Sequence, residues 1–134
     1  MNTLLQVNFR SQVLLLQDSM NVILPDDRLD GDFPVLWLLH GGGGNENDWL
    51  HNTRIRAYAD KHNIAVVMPH AGYSRYCNMY WGADYFTFLT EELPQIVHTF
   101  FPRISSHRED NYIAGFSLGG SGAISLGMRR PDLY

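Results

Sequence analysis

A three-layer α/β fold around a mostly parallel sheet is what this sequence predicts, and three observations predict it. The uninterrupted apolar run Val35, Leu36, Trp37, Leu38, Leu39 suits a strand buried on both faces of a parallel sheet, and it leads through His40 into four consecutive glycines. Further apolar runs at 64–68 and 112–114 alternate with stretches of helical periodicity, and a β-α-β order argues for parallel strands joined by right-handed crossovers. The last run feeds Gly115-Phe116-Ser117-Leu118-Gly119, a strand-to-helix turn with glycine two residues to either side of a serine.

The elements follow in order. Strands over 5–10 and 21–24 are expected to open the chain as an antiparallel hairpin. Residues 25–34, rich in aspartate and glycine, read as a loop. After Val35–Leu39, a helix over 53–62 places Ile55, Tyr58 and Ala59 on one face and leads into the strand at 64–68. From 84 to 101 apolar residues recur at Phe86, Leu89, Leu93, Ile96, Val97 and Phe100, steps that predict one long amphipathic helix. Pro94 removes a hydrogen bond inside it and predicts a kink. A fifth strand at 112–114 and the start of a helix after Ser117 complete the count.

Composition narrows the function. With 134 residues, 45% of them hydrophobic, no apolar run approaches the ~20 residues of a membrane helix. A net charge of −4 offers no basic face to nucleic acid or anionic lipid, and the Arg129-Arg130 pair reads as a complement to its helix C-terminus. Residues 1–12 lack a basic-then-apolar leader, and the single cysteine, Cys77, cannot close an internal disulfide, so a cytoplasmic location is expected. His51, His62, His70, His98 and His107 show no ligand spacing, and neither metal nor organic cofactor is implied. His70 follows the strand at 64–68 and faces the same rim of the sheet as Ser117.

The chemistry centres on Ser117. A tight strand-to-helix turn lifts the hydroxyl clear of the sheet in a sparsely populated backbone conformation, and bulky neighbours two residues away would clash, hence Gly115 and Gly119. Gly120 and Gly122 are expected to let the helix pass close to the strand. The helix start directs unpaired N–H groups at the reacting carbonyl, so the Leu118 N–H is one expected oxyanion donor. The second element is His40-Gly41-Gly42-Gly43-Gly44, whose glycines, Gly41 among them, permit close backbone approach to a substrate oxygen. It lacks the Gly-Lys-Ser/Thr ending of a phosphate loop. His40 is expected to play a structural hydrogen-bonding role. Tyr76, Tyr80, Trp81 and Tyr85 follow a strand's carboxyl end, where aromatics either line a substrate pocket or pack beside the long helix; for Trp81 both readings stay open.

The blocks Leu38 to Trp49, Val66-Val67-Met68-Pro69, Phe88 to Pro94 and Ile113 to Gly122, in that order, resemble the esterase family that groups esterase D or S-formylglutathione hydrolases, feruloyl and acetyl-xylan esterases and mycolyltransferases, with bacterial tributyrin esterases most alike. The resemblance covers nearly the whole chain. It implies an α/β-hydrolase fold, with residues 1–134 as the N-terminal half of one domain. It implies Ser117 as nucleophile, the N–H groups of Gly42 and Leu118 as oxyanion donors, and Trp81 at a position where the family commonly has tryptophan. The family's acid and histidine lie beyond its sixth strand, outside this sequence.

The expected activity is hydrolysis of small-molecule short-chain acyl esters through an acyl-Ser117 intermediate. A mycolyl-type acyltransferase or a non-catalytic binding fragment is the alternative. Without acid and base the 134 residues are expected to be inactive alone. The fifth strand is expected to leave an exposed apolar edge that recruits a second copy or a complementing C-terminal segment.

Overall fold

The computed structural model describes residues 2–26 and 30–134, so residues 27–29 of the loop expected at 25–34 lie outside the described residues. Strands β1 (Thr3–Arg10) and β2 (Gln17–Leu24) form the expected antiparallel hairpin, paired from Thr3 opposite Leu24 to Arg10 opposite Gln17. Both run longer than the sequence suggested, because their polar residues continue the ladder past the apolar stretch. The hairpin turn is tied down from across the fold. The Glu92 carboxylate accepts from the Ser11 hydroxyl, from the Gln12 N–H at 2.7 Å and from the Val13 N–H at 3.3 Å.

The remaining strands are β3 (Val35–Leu39), β4 (Ala65–Pro69) and β5 (Asn111–Gly115), and the sheet order is β1-β2-β4-β3-β5. β2 joins β4 antiparallel, while β4, β3 and β5 run parallel. Side-chain alternation then makes two cores. On one face Ile23, Leu38, Val66 and Met68 pack with Ile55 and Ala59 of helix α2 (Ile55–His62), beside the short α1 (Asp48–Asn52). On the other face Met20, Val22, Val35, Trp37, Leu39 and Val67 meet Phe88, Leu93, Val97 and Leu126. Those partners come from the segment α3 (Tyr85–Thr87), a π-helical turn (Phe88–Glu92) and α4 (Leu93–Phe100), and from α5 (Leu118–Arg129). Three layers result.

The helix expected over 53–62 is divided. Thr53 is extended, with φ −140° and ψ 174°; its hydroxyl donates to the Trp49 carbonyl and accepts from the Ile55 N–H at 3.2 Å, which separates α1 from α2. Tyr58, expected on the buried face, is 56% exposed; Ile55 and Ala59 alone turn inward. α2 stops at Asn63, whose left-handed φ of 52° brings its N–H back to the Ala59 and Asp60 carbonyls. The strand that follows therefore begins at Ala65 rather than 64.

The long helix also differs. The π turn inserts an extra residue per turn and rotates the apolar stripe, so Phe88 and Thr90 are buried while Phe100, expected in the stripe, is 69% exposed. Pro94 stands directly after the π turn, where the Leu93 N–H already reaches five residues back to the Phe88 carbonyl, so the N–H that proline lacks is lost at the junction of the π turn with α4. The irregularity thus precedes the proline instead of kinking the helix at it.

What positions the site is the β3–β5 pairing. Leu39 lies opposite Gly115, so the glycine loop and the Ser117 turn leave the sheet side by side at its carboxyl edge. At the strands' other end the buried Trp37 Nε1–H donates to Asn111 Oδ1 at 2.9 Å and locks the two together. β5 pairs with β3 alone among the described strands, and Tyr112 on it is 52% exposed. No helix among the described residues is long and apolar enough to cross a membrane.

Candidate active site

Ser117 is exposed and holds φ 54° with ψ −118°, a conformation that L-residues rarely adopt. The flanking glycines have distinct reasons. A Cβ on Gly115 would sit 2.2 Å from the Gly119 carbonyl oxygen, and one on Gly119 would sit 2.4 Å from the Leu39 carbonyl oxygen. Either would force backbone apart. Gly120 approaches the strand as expected, its Cβ position lying 3.3 Å from the Gly115 oxygen. Gly122 does not serve the strand: its Cβ position falls 2.5 Å from the Tyr76 ring, so it makes room for that tyrosine. The turn is closed by Gly119 N–H to Phe116 O at 2.8 Å and Ser121 N–H to Ser117 O at 3.1 Å. The Leu118 N–H stands in the first turn of α5, where amides have no intrahelical acceptor.

The neighbouring loop is held by His40, which is 2% exposed. Its Nδ1 meets the Gly41 carbonyl at 2.7 Å and its Nε2 accepts from the Ala71 N–H at 3.0 Å, so the ring carries its proton on Nδ1 and donates to Gly41. The expected structural role of His40 holds. The Gly41 oxygen also accepts from the Gly44 N–H at 3.2 Å. That carbonyl shares a planar trans peptide with the Gly42 N–H, so fixing one fixes the direction of the other. Gly42 abuts the helix start: a Cβ on it would lie 3.5 Å from Leu118 Cδ2. The fourth glycine, Gly44, leaves space for the Asp48 carboxylate, whose Oδ2 would be 1.8 Å from a Cβ there.

Ser117, Phe116, Gly41 and Gly42 line a cleft of about 380 Å³ together with Asp48, Trp49, Asn52 and Thr53. The last four belong to α1 and its end; the sequence led to no element over 48–52 and placed Thr53 at the start of the helix expected over 53–62. The signal was Asn45 and Asn47, helix-start residue types, just before Asp48. Trp81 does not line this cleft. It is 91% exposed and meets Tyr80 edge-on at 4.9 Å, so it does not pack in the core either. The aromatic cluster separates: Tyr76 and Tyr85 are buried, with the Tyr76 hydroxyl donating to the His40 carbonyl at 2.6 Å. Burial pushes the Tyr76 pKa well above its ordinary value and the Tyr85 pKa up to about 12.

His70 sits at the same rim but outside the Ser117 cleft. Its Nδ1 meets Asp18 Oδ1 at 2.7 Å, a bond that raises its pKa above the ordinary 6.5 although burial opposes the shift. Asp18 carried no motif and was missed. Among the described residues no histidine or carboxylate hydrogen-bonds the Ser117 hydroxyl, and no three His, Cys, Asp or Glu side chains group as metal ligands.

A mixed sheet covered on both faces, with a strained exposed serine where its last parallel strand turns into a helix, is the α/β-hydrolase architecture. Known proteins agree. The chain belongs to the esterase family described as "Putative esterase", which matches residues 11–134. It is 34% identical over 136 residues to an acetyl esterase of Caldicellulosiruptor saccharolyticus, covering 94% of this chain and 51% of that protein. Among solved structures it is similar to the substrate-bound fluorophosphonate-binding serine hydrolase F (FphF) of Staphylococcus aureus, with TM-score 0.94 and 32% identity over 99% of this chain and 54% of that one. The S-formylglutathione hydrolase (FrmB) apoenzyme of the same organism gives TM-score 0.90 and 32% identity, covering 100% and 55%. The chain spans about half the length of these relatives.

Proposed function

We propose that this chain carries the nucleophile and oxyanion half of a serine carboxylesterase acting on short-chain acyl esters of small molecules. The observation that carries the reading is the backbone of Ser117, φ 54° and ψ −118°, with the Gly42 backbone packed against the residue that follows it. In this mechanism a base takes the Ser117 proton as Oγ attacks the ester carbonyl, and the N–H groups of Gly42 and Leu118 receive the developing oxyanion. The leaving alcohol takes the proton, and water then attacks the acyl-serine to release the acid and restore the hydroxyl. Loss of one such donor typically costs ~2.7–4 kcal/mol of barrier.

The cleft of about 380 Å³ walled by Trp49 and Phe116 beside Ser117 offers a place for the acyl group, and a short one is supported by the acetyl esterase relative. The base and acid are assigned to sequence outside these residues, so the 134-residue form is inactive alone in this account. The open edge of β5, with Tyr112 at 52% exposed, and the apolar residues Ile124 and Met128 left exposed on α5, at 66% and 77%, support pairing with a complementing segment or a second copy. The test is a rate series with p-nitrophenyl acetate, butyrate and octanoate on the protein completed to the length of its relatives. Rates should fall as the acyl chain lengthens; a preference for octanoate would refute the short-acyl assignment.

A further inference from the structure

We infer that Asp18 and His70 form a clamp that positions the Gly41–Gly42 peptide through His40. This rests on reading the Gly42 N–H as an oxyanion donor. His70 is a positioning residue, because it lines a different cleft from the one at Ser117.

The clamp is built from both ends. Asp18, its side chain 3% exposed, accepts from His70 Nδ1 at 2.7 Å, and the His70 N–H donates to the Ser19 carbonyl at 3.0 Å. Main chain and side chain of His70 are thus both fastened to the opening of β2. The carboxylate is itself steadied by the Ser19 N–H at 2.9 Å and the Tyr85 hydroxyl at 3.3 Å. Ala71, the next residue and fully buried, gives its N–H to His40 Nε2 at 3.0 Å, while the His70 ring lies over the His40 ring with centroids 6.0 Å apart and planes 21° apart. From the far side of that ring Nδ1 grips Gly41, and so aims the Gly42 N–H.

A proton on His70 governs how firmly the first link holds. A charge-assisted bond is roughly twice as strong as its neutral counterpart. The groups facing His70 are Asp18 from β2, Glu46 from the loop before α1, and His40 at the end of β3; Tyr85 of α3 backs Asp18, and Arg10 of β1 lines the same cleft. Asp18 above all, and Glu46 with it, hold the His70 pKa above 6.5 against burial. The clamp is therefore complete below pH 6.5 and loosens as pH climbs through the raised value. The proton exchanges with solvent through the open cleft of about 580 Å³ that His70 lines.

The test is an NMR titration of the isotopically labelled 134-residue chain between about pH 5.5 and about 9, the range in which histidines titrate. The His70 ring and the amides of Ala71 and Gly42 should share one midpoint above 6.5. Asp18→Asn should lower that shared midpoint, and His70→Gln should abolish the Gly42 inflection. A Gly42 amide that stays flat while His70 titrates overturns the clamp, as does an unmoved midpoint in Asp18→Asn. Should Asp18→Asn fail to fold, His70→Gln decides alone: an inflection at Gly42 that survives it refutes the inference. The readout needs no reaction at Ser117, so a protein completed to the length of its relatives that never acylates would count against the esterase reading and leave the clamp standing.

Discussion

The Cα of Gly119 presses on the carbonyl of Leu39 so closely that a Cβ would lie 2.4 Å from its oxygen. Helix α5 crosses β3 at that point with no side chain between them. Gly119→Ala must therefore push helix and strand apart, and a loss at or above the upper end of the usual ~1–3 kcal/mol for overpacking is expected. Urea unfolding checks it, with Gly120→Ala as the milder control, since its Cβ position clears the Gly115 oxygen by 3.3 Å.

Ser117 stores strain that glycine would not. A residue held in such a region costs roughly 1–3 kcal/mol, and glycine occupies it freely. Ser117→Gly should be more stable than Ser117→Ala, which keeps the Cβ and most of the strain. Equal urea midpoints for the two would show that the turn is relaxed.

Glu92 links the hairpin turn to the π-helical segment through three donors from residues 11–13. Replacing it with alanine leaves the Ser11 hydroxyl and two amides without their acceptor and should cost about 1–3 kcal/mol. Amide hydrogen exchange should quicken at Gln12 and Val13 and not in β4.

The His70–Asp18 pair makes a signed contribution to stability. The folded pKa of His70 is raised, so the contribution is whole below 6.5 and disappears as pH rises through the folded value. The stability difference between the parent chain and Asp18→Asn should therefore shrink as pH increases above 6.5. A difference that grows with pH would reverse the sign assigned here.

Trp81 is 91% exposed, and Trp81→Ala should leave the unfolding midpoint within about 0.5 kcal/mol of the parent. A larger loss would mean that the indole supports the fold.

The parts of this molecule legible in its sequence are those where local chemistry leaves one solution. Val35–Leu39 is apolar throughout and could only be an inner strand; Gly115, Ser117 and Gly119 carry a spacing that backbone collisions dictate. Where tertiary contacts choose among acceptable local structures, the sequence was silent. α1 needed the Thr53 hydroxyl to divide it from α2, and the π turn ahead of Pro94 turns Phe88 inward at the expense of Phe100. Asp18 is far from His70 in sequence, and only the β2–β4 pairing brings them together.

Ser117 as the nucleophile is the claim on which the proposed ester chemistry rests. Its most direct test is intact-mass and peptide mapping after a fluorophosphonate treatment of the protein completed to the length of its relatives. One adduct is predicted, on the peptide containing Ser117 and absent from Ser117→Ala. An adduct on another residue, or none while the 115–119 turn remains folded, would contradict it.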